Sequence, residues 1–166
     1  MNIRFIVYSL SFVQYAYFSS NRINVPLNTG WRNCLREQND QLIVEKAGKT
    51  IPDIFREDGE PAFRDLESEV IRELSMEGGR IISTGGGAVL RPENVTVLRQ
   101  NGRLFWLNRD PESLVPTEDR PLADTQDKMR QLYIEREPVY RAAADEIIPV
   151  TGTPEDTADA IGRENC

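Results

Sequence analysis

Apolar and polar positions along this chain fall into short runs whose period changes from segment to segment. Between residues 61 and 77 the apolar residues Phe63, Leu66, Val70, Ile71 and Leu74 stand at offsets of 0, 3, 7, 8 and 11. That spacing predicts one face of an α-helix, with Gly78-Gly79 as its stop. Arg80-Ile81-Ile82-Ser83-Thr84 then reads as a short buried strand that runs into Gly85-Gly86-Gly87. A short helix is predicted over 92–99, and a buried strand at Arg103-Leu104-Phe105-Trp106-Leu107. Residues 125–135 read as helix with Met129, Leu132 and Tyr133 inward. Glu146-Ile147-Ile148-Pro149-Val150 is a late strand, and its proline marks an end or an edge. Thr153-Pro154-Glu155-Asp156 predicts a helix start, with Thr as N-cap, Pro at the first helical position and an acid at the third.

The N-terminal part has a different character. Residues 3–18 are mostly apolar but are interrupted by Arg4 and Gln14, without a small-x-small cleavage pattern after them. The stretch is short for a membrane span. A first buried strand, Ile3 to Val7, is the reading preferred over a leader or anchor. Residues 19–37 show little periodicity and carry no assignment. Strands that alternate with helices define an α/β class with a mostly parallel sheet. Ligands of such sheets bind beyond the carboxyl ends of the strands, where the triple glycine falls. The chain has 166 residues, enough for one domain with its own core.

Charge and composition narrow the chemistry. There are 27 acidic and 20 basic residues, a net charge of −7, which disfavours nucleic acid and anionic membrane as partners. Histidine is absent. Ser-His-Asp and Cys-His nucleophile systems, His-bearing zinc sites and imidazole proton shuttles are therefore excluded. Proton transfer here must use carboxylates, lysine, tyrosine or water. The two cysteines, Cys34 and Cys166, form no CxxC pair, so a thiolate metal site is unsupported and a reducing cytoplasmic setting is expected.

Three places can carry chemistry. Three glycines after a buried strand let backbone approach a ligand and offer bare N–H groups, although a ligand-free tight loop has the same sequence. Arg64 has a guanidinium fork that suits a carboxylate or phosphate, but a solvated arginine paired with Glu60 or Glu67 would look the same. Arg120 and Arg136 each precede a proline-containing turn and suit anion handling, or are plain surface charge. Gly48-Lys49-Thr50 imitates the tail of a phosphate loop. It is set aside, because the loop's first glycine would have to be Ile43 and the tripeptide follows a helix-like run.

In order along the chain, Asp40-x-x-Ile43, Gly48-x-x-Ile51-x-x-Ile54-Phe55 and Gly59-Glu60-x-x-Phe63-Arg64-x-x-Glu67 are followed by Ser83-Thr84-Gly85-Gly86-Gly87-Ala88-Val89. Arg120-Pro121-Leu122 and Arg136-x-Pro138-x-Tyr140-x-x-x-Ala144-Asp145 complete the series. Residues 40–150 in this pattern resemble the shikimate kinase family, small P-loop kinases of the nucleoside-monophosphate-kinase type. The resemblance implies a P-loop-kinase-like three-layer α/β sandwich with a mostly parallel sheet and a short lid. It implies a cytoplasmic monomer that transfers the ATP γ-phosphate to the 3-hydroxyl of shikimate in chorismate and aromatic amino-acid biosynthesis, using ATP and Mg2+. Asp40 would orient or deprotonate the attacking hydroxyl. Arg64 and Arg136 would clamp the shikimate carboxylate, Gly86 and Gly87 would line the substrate, and Arg120 would lie in the lid over the ATP phosphates. Phosphoryl transfer depends mainly on positioning and charge stabilisation, which suits a chain without histidine.

The departures from the family pattern lie at the front. Residues 1–37 form an atypical segment without a Walker A loop, ahead of a shikimate-kinase-like domain over 38–166. After the expected first strand comes Tyr8-Ser9-Leu10-Ser11-Phe12, with no glycine before Gly30 and no lysine before Lys46. Gln38 and Val44 stand where the family usually has acids, ligands for Mg2+ are not evident, and the stretch between Leu107 and Arg120 is short. Losing one preorganised donor to developing charge costs about 10²–10³ in rate, so turnover near background is expected of the literal chain. The alternatives are a displaced reading frame upstream of residue 38, or a non-catalytic binding protein of this fold. A gluconate-kinase-like specificity fits less well with Asp40, Arg64 and Arg136 together.

Overall fold

The computed structural model describes residues 4–9, 35–76, 80–100, 102–113, 125–153, 156–157 and 160–161. Five strands, β1 (Arg4–Ser9), β2 (Leu35–Gln38), β3 (Arg80–Gly85), β4 (Gly102–Asn108) and β5 (Glu146–Pro149), form one sheet in the order β2-β3-β1-β4-β5. Every pairing is parallel. The registers Gln38↔Ser83 and Ser9↔Gly85 bring the carboxyl ends of β2, β3 and β1 to one rim. Ile81, Phe105 and Leu107 are buried, as are their alternating neighbours Ile82, Leu104 and Trp106, so both faces of the sheet are covered. A parallel sheet requires this, because its crossover connections run over its faces. The expected α/β class with a parallel sheet is the one observed.

Among the described residues, five helices connect and cover these strands: α1 (Asn39–Ala47), α2 (Ile51–Glu57), α3 (Gly59–Leu74), α4 (Pro92–Arg99) and α5 (Gln126–Ala143). Ile43, Ile54, Phe63, Val70, Ile71, Leu98 and Tyr140 from these helices share one apolar cluster with Ile82, Leu104 and Trp106 of the sheet. The helix α2, not anticipated from periodicity, is only seven residues long. Its local signals are nevertheless in the sequence: Thr50 caps the Asp53 N–H, and Pro52 sits in the first turn. Gly59 has φ +84°, a conformation that lets α3 begin one residue after Asp58. The apolar face predicted over 61–77 belongs to α3, which starts at Gly59 and stops at Leu74, before the glycine pair expected to end it.

The structure bears on three further expectations. Arg136 does not precede a turn: α5 continues through Pro138 to Ala143. Proline removes one backbone donor from a helix, and Pro138 lies on an exposed stretch beside Val139, where water can satisfy the freed carbonyl. Gly48-Lys49-Thr50 is a helix-to-helix joint and not a phosphate cradle. Gly48 takes φ +68° after α1, Lys49 pairs with Glu57 and Asp58, and Thr50 is the α2 cap. The expected helix start at residue 153 is present as a reciprocal pair: Asp156 N–H donates to Thr153 Oγ1 at 3.2 Å, and Thr153 N–H donates to Asp156 Oδ2 at 2.9 Å.

Candidate functional site

The carboxyl ends of β2 and β3 each deliver a different kind of group. The chain turns from β2 directly into α1, so Asp40 stands in the first turn of a helix at the rim. From β3 it passes through Gly85-Gly86-Gly87 into a short 3₁₀ turn, Ala88–Leu90. A side-chain carbon placed on Gly85 would lie 3.8 Å from Asp40 Oδ1 and 3.9 Å from Glu67 Oε1. The same carbon placed on Gly87 would overlap the Arg64 guanidinium. None of the three glycines has a positive φ. The requirement for glycine is one of close approach at Gly87, where the strand end runs against the Arg64 guanidinium; at Gly85 a side-chain carbon would meet Asp40 and Glu67 only at ordinary contact distance.

Arg64 and Glu67 arrive together from α3, one turn apart. Arg64 Nη1 donates to Glu67 Oε2 at 2.7 Å, and its Nε and Nη2 donate to Glu60 Oε1 at 3.2 and 3.1 Å. The guanidinium also lies over the Phe63 ring, 5.0 Å from its centroid. Side-chain exposure separates the two acids: Glu67 is 1% exposed and Glu60 42%. The ion-pair reading of Arg64 holds, and the pairs fix the fork against Gly87.

Burial governs the electrostatics. Desolvation pushes the Glu67 carboxyl up to about 7, against the pull of Arg64 and, more weakly, Arg91, while the Asp40 charge pushes it further up. Asp40 is raised by burial as well, with Arg64 opposing. For Arg64, burial acts downward but the Glu67 and Glu60 carboxylates outweigh it and hold the guanidinium above its usual range. Burial also raises the Tyr140 phenol of α5, and Arg136, one turn earlier on that helix, acts against this. Tyr140 feels Arg64 and Glu67 too, so it joins Arg136 to the α3 pair.

Asp40, Arg64, Gly86, Gly87 and Arg136 are therefore drawn to one region. Arg120 lies outside the described residues. Glu67 entered the sequence reading as a motif position and a possible partner of Arg64, and Tyr140 only as a motif position; nothing in their spacing revealed how deeply they are buried. Asn39 stood out even less: it is fully buried beside Asp40, and neither end of its amide has a hydrogen-bond partner among the described residues. Ser83 Oγ and Thr84 Oγ1, on the last residues of β3 before the glycines, are alike in this respect. Among the described residues no group of three or more acidic or cysteine side chains is placed to hold a metal ion. Chemically, a buried carboxylate, two guanidinium groups and glycine backbone suit a small anion that also bears hydroxyls.

Comparison with known proteins agrees. The family model for shikimate kinase matches residues 37–164. A shikimate kinase of Burkholderia lata is 41% identical over 122 residues, covering 69% of this chain and 66% of that protein. One from Caldanaerobacter subterraneus is 37% identical over 131 residues, 75% of this chain and 77% of its own length. Among solved structures, the shikimate kinase of Acinetobacter baumannii in complex with shikimate superposes with a TM-score of 0.80 at 27% identity, over 97% of this chain and 90% of that one. This chain belongs to the shikimate kinase family, ATP-dependent small-molecule transferases of aromatic amino-acid biosynthesis.

Proposed function

We propose that the chain acts as a shikimate kinase, moving the γ-phosphoryl group of ATP to the 3-hydroxyl of shikimate. The hydroxyl oxygen bonds to phosphorus as the bond to ADP breaks, and the hydroxyl proton is lost. The observation that carries this reading is the convergence of Asp40, Arg64 and Glu67 on the Gly85–Gly87 backbone at the rim of the sheet. Asp40 accepts the hydroxyl proton or its hydrogen bond; burial keeps this carboxylate more basic than a solvated one, as a general base needs. Arg64 and Arg136 take the carboxylate of the substrate. The exposed Glu60 is the partner that an incoming carboxylate exchanges with, while the buried Glu67 remains and holds the fork in place. Gly86 and Gly87 bring backbone close to the bound ring, and Arg120 is assigned to the ATP phosphates.

Members of this family use ATP with magnesium. Magnesium is commonly held by one or two carboxylates together with the phosphates themselves. Among the described residues no group of three or more acidic or cysteine side chains is placed to hold the ion.

One sequence observation favours a second reading, in which the chain binds shikimate without phosphorylating it. The stretch before Gly30 has no glycine, and no lysine precedes Lys46. A phosphate cradle needs close backbone N–H groups and a cation. Coupled measurement of ADP release, with and without shikimate, tests the transfer reading, and calorimetry with shikimate tests binding. Shikimate-dependent ADP release supports the kinase. Binding heat without ADP release leaves the binding protein. Absence of both removes the shikimate reading altogether.

A further inference from the structure

Arg91 lies outside every motif considered so far, yet it touches the centre of the site from behind. It follows the 3₁₀ turn after the three glycines, and its side chain reaches back to α3. Its Nη1 donates to the backbone carbonyl of Arg64 at 3.1 Å and to Ser68 Oγ at 3.2 Å, and it pairs with Asp65 Oδ1 at 2.8 Å. Ser68 Oγ donates to the same Arg64 carbonyl at 2.9 Å. That carbonyl thus accepts two side-chain bonds at the residue that carries the anion fork.

We propose that Arg91 is a positioning residue, locking the backbone of Arg64 to the glycine strand end and balancing the buried Glu67 carboxylate so that the fork keeps its aim. This rests on the shikimate reading for the identity of the anion, but the coupling to Glu67 does not depend on it. The geometry explains why one guanidinium can do both. Asp65 and Arg64 are adjacent residues, and Arg91 grips the first through its carboxylate and the second through its carbonyl. Glu67 is faced by Arg64 on its own helix, by Asp40 on α1, by Tyr140 on α5 and by Arg91 beyond β3. In this set only Arg64 and Arg91 are cations acting on Glu67. Removing Arg91 leaves one cation to serve two buried carboxylates, and takes away one of the two side-chain bonds to the Arg64 carbonyl.

The test uses Arg91→Gln and Arg91→Lys in the full chain, each checked for folding by circular dichroism. Calorimetry with shikimate reads the anion site. Arg91→Gln is expected to weaken binding about tenfold, the scale of one charged hydrogen bond, and Arg91→Lys to recover part of that loss by restoring the charge. Carboxyl carbon NMR of the ligand-free protein reads Glu67 directly, with Glu67→Gln to assign its signal. Its midpoint is expected to move to higher pH in Arg91→Gln and to stay near wild type in Arg91→Lys. If Arg91→Gln folds and moves neither affinity nor midpoint, the proposal is overturned. If it does not fold, Arg91→Lys decides: wild-type affinity, despite loss of the planar fork, overturns the backbone-locking role. If wild-type protein shows no heat with shikimate, the shikimate reading falls, and the titration arm still judges Arg91.

Discussion

Glu67 shows what a single side chain gains and loses by depth. Spacing from Arg64 identified a possible i,i+3 pair, of a kind worth little on a solvated surface. In the folded chain the carboxyl is 1% exposed and raised from 4.5 to about 7, with desolvation as the main cause. Between those pH values the folded state keeps a proton that the unfolded chain has released, so stability falls as pH rises through this window. A shift of that size is worth roughly 3 kcal/mol, and the raised Asp40 acts in the same direction. Urea unfolding at pH 5 and pH 8 should show wild-type protein more stable at the lower value, with a smaller difference in Glu67→Gln; equal differences would contradict the assignment. Arg64→Ala should weaken shikimate binding about 10- to 100-fold, the loss of one charged hydrogen-bonding group, measured by calorimetry.

At the scale of elements, the strand end after β3 and the start of β5 do different work. Gly87 lies directly beneath the Arg64 guanidinium, so Gly87→Ala must push the fork aside. Shikimate affinity should fall as far as in Arg64→Ala, while the helix signal in circular dichroism stays near wild type. Retained affinity would show that the close approach is unimportant for binding. Asp145, the last residue of the motif that begins at Arg136, lies away from the chemistry. Its Oδ2 accepts the Leu104 N–H at 2.8 Å and its own N–H donates to the Leu104 carbonyl at 2.9 Å, fastening the end of α5 to β4 as β5 begins. Asp145→Ala should therefore cost about 1–2 kcal/mol of stability, read from urea unfolding, and leave shikimate affinity unchanged. The extent of α5 makes a related point. Pro138 looked like a boundary because proline opposes helix interiors, but tertiary packing of Tyr140 and Ala143 in the core carries the helix past it.

For the molecule as a whole, ligand binding and folding should be linked. Any ligand held by the folded state alone stabilises it by about 2.7 kcal/mol at a hundredfold excess over Kd, so thermal melting with shikimate, then with ATP, separates the two halves of the proposed reaction. A shift with shikimate and none with ATP would place this chain with the binding reading. The architecture was legible in the chain itself: helical and strand periods, punctuated by glycine and proline, are local properties, and their alternation leads to a parallel sheet. The ordered motifs likewise mark Asp40, Arg64, Gly86, Gly87 and Arg136 as candidates. Depth and approach were not legible, because they depend on segments distant in the chain. That Glu67 is sealed from water, that Gly87 serves close contact instead of unusual φ, that Asn39 is buried without a partner among the described residues, and that Arg91 reaches the Arg64 carbonyl all follow from packing between α1, α3, α5 and the end of β3. Local sequence sets which groups are available, while desolvation and distance, which set their chemistry, arise only when remote segments meet.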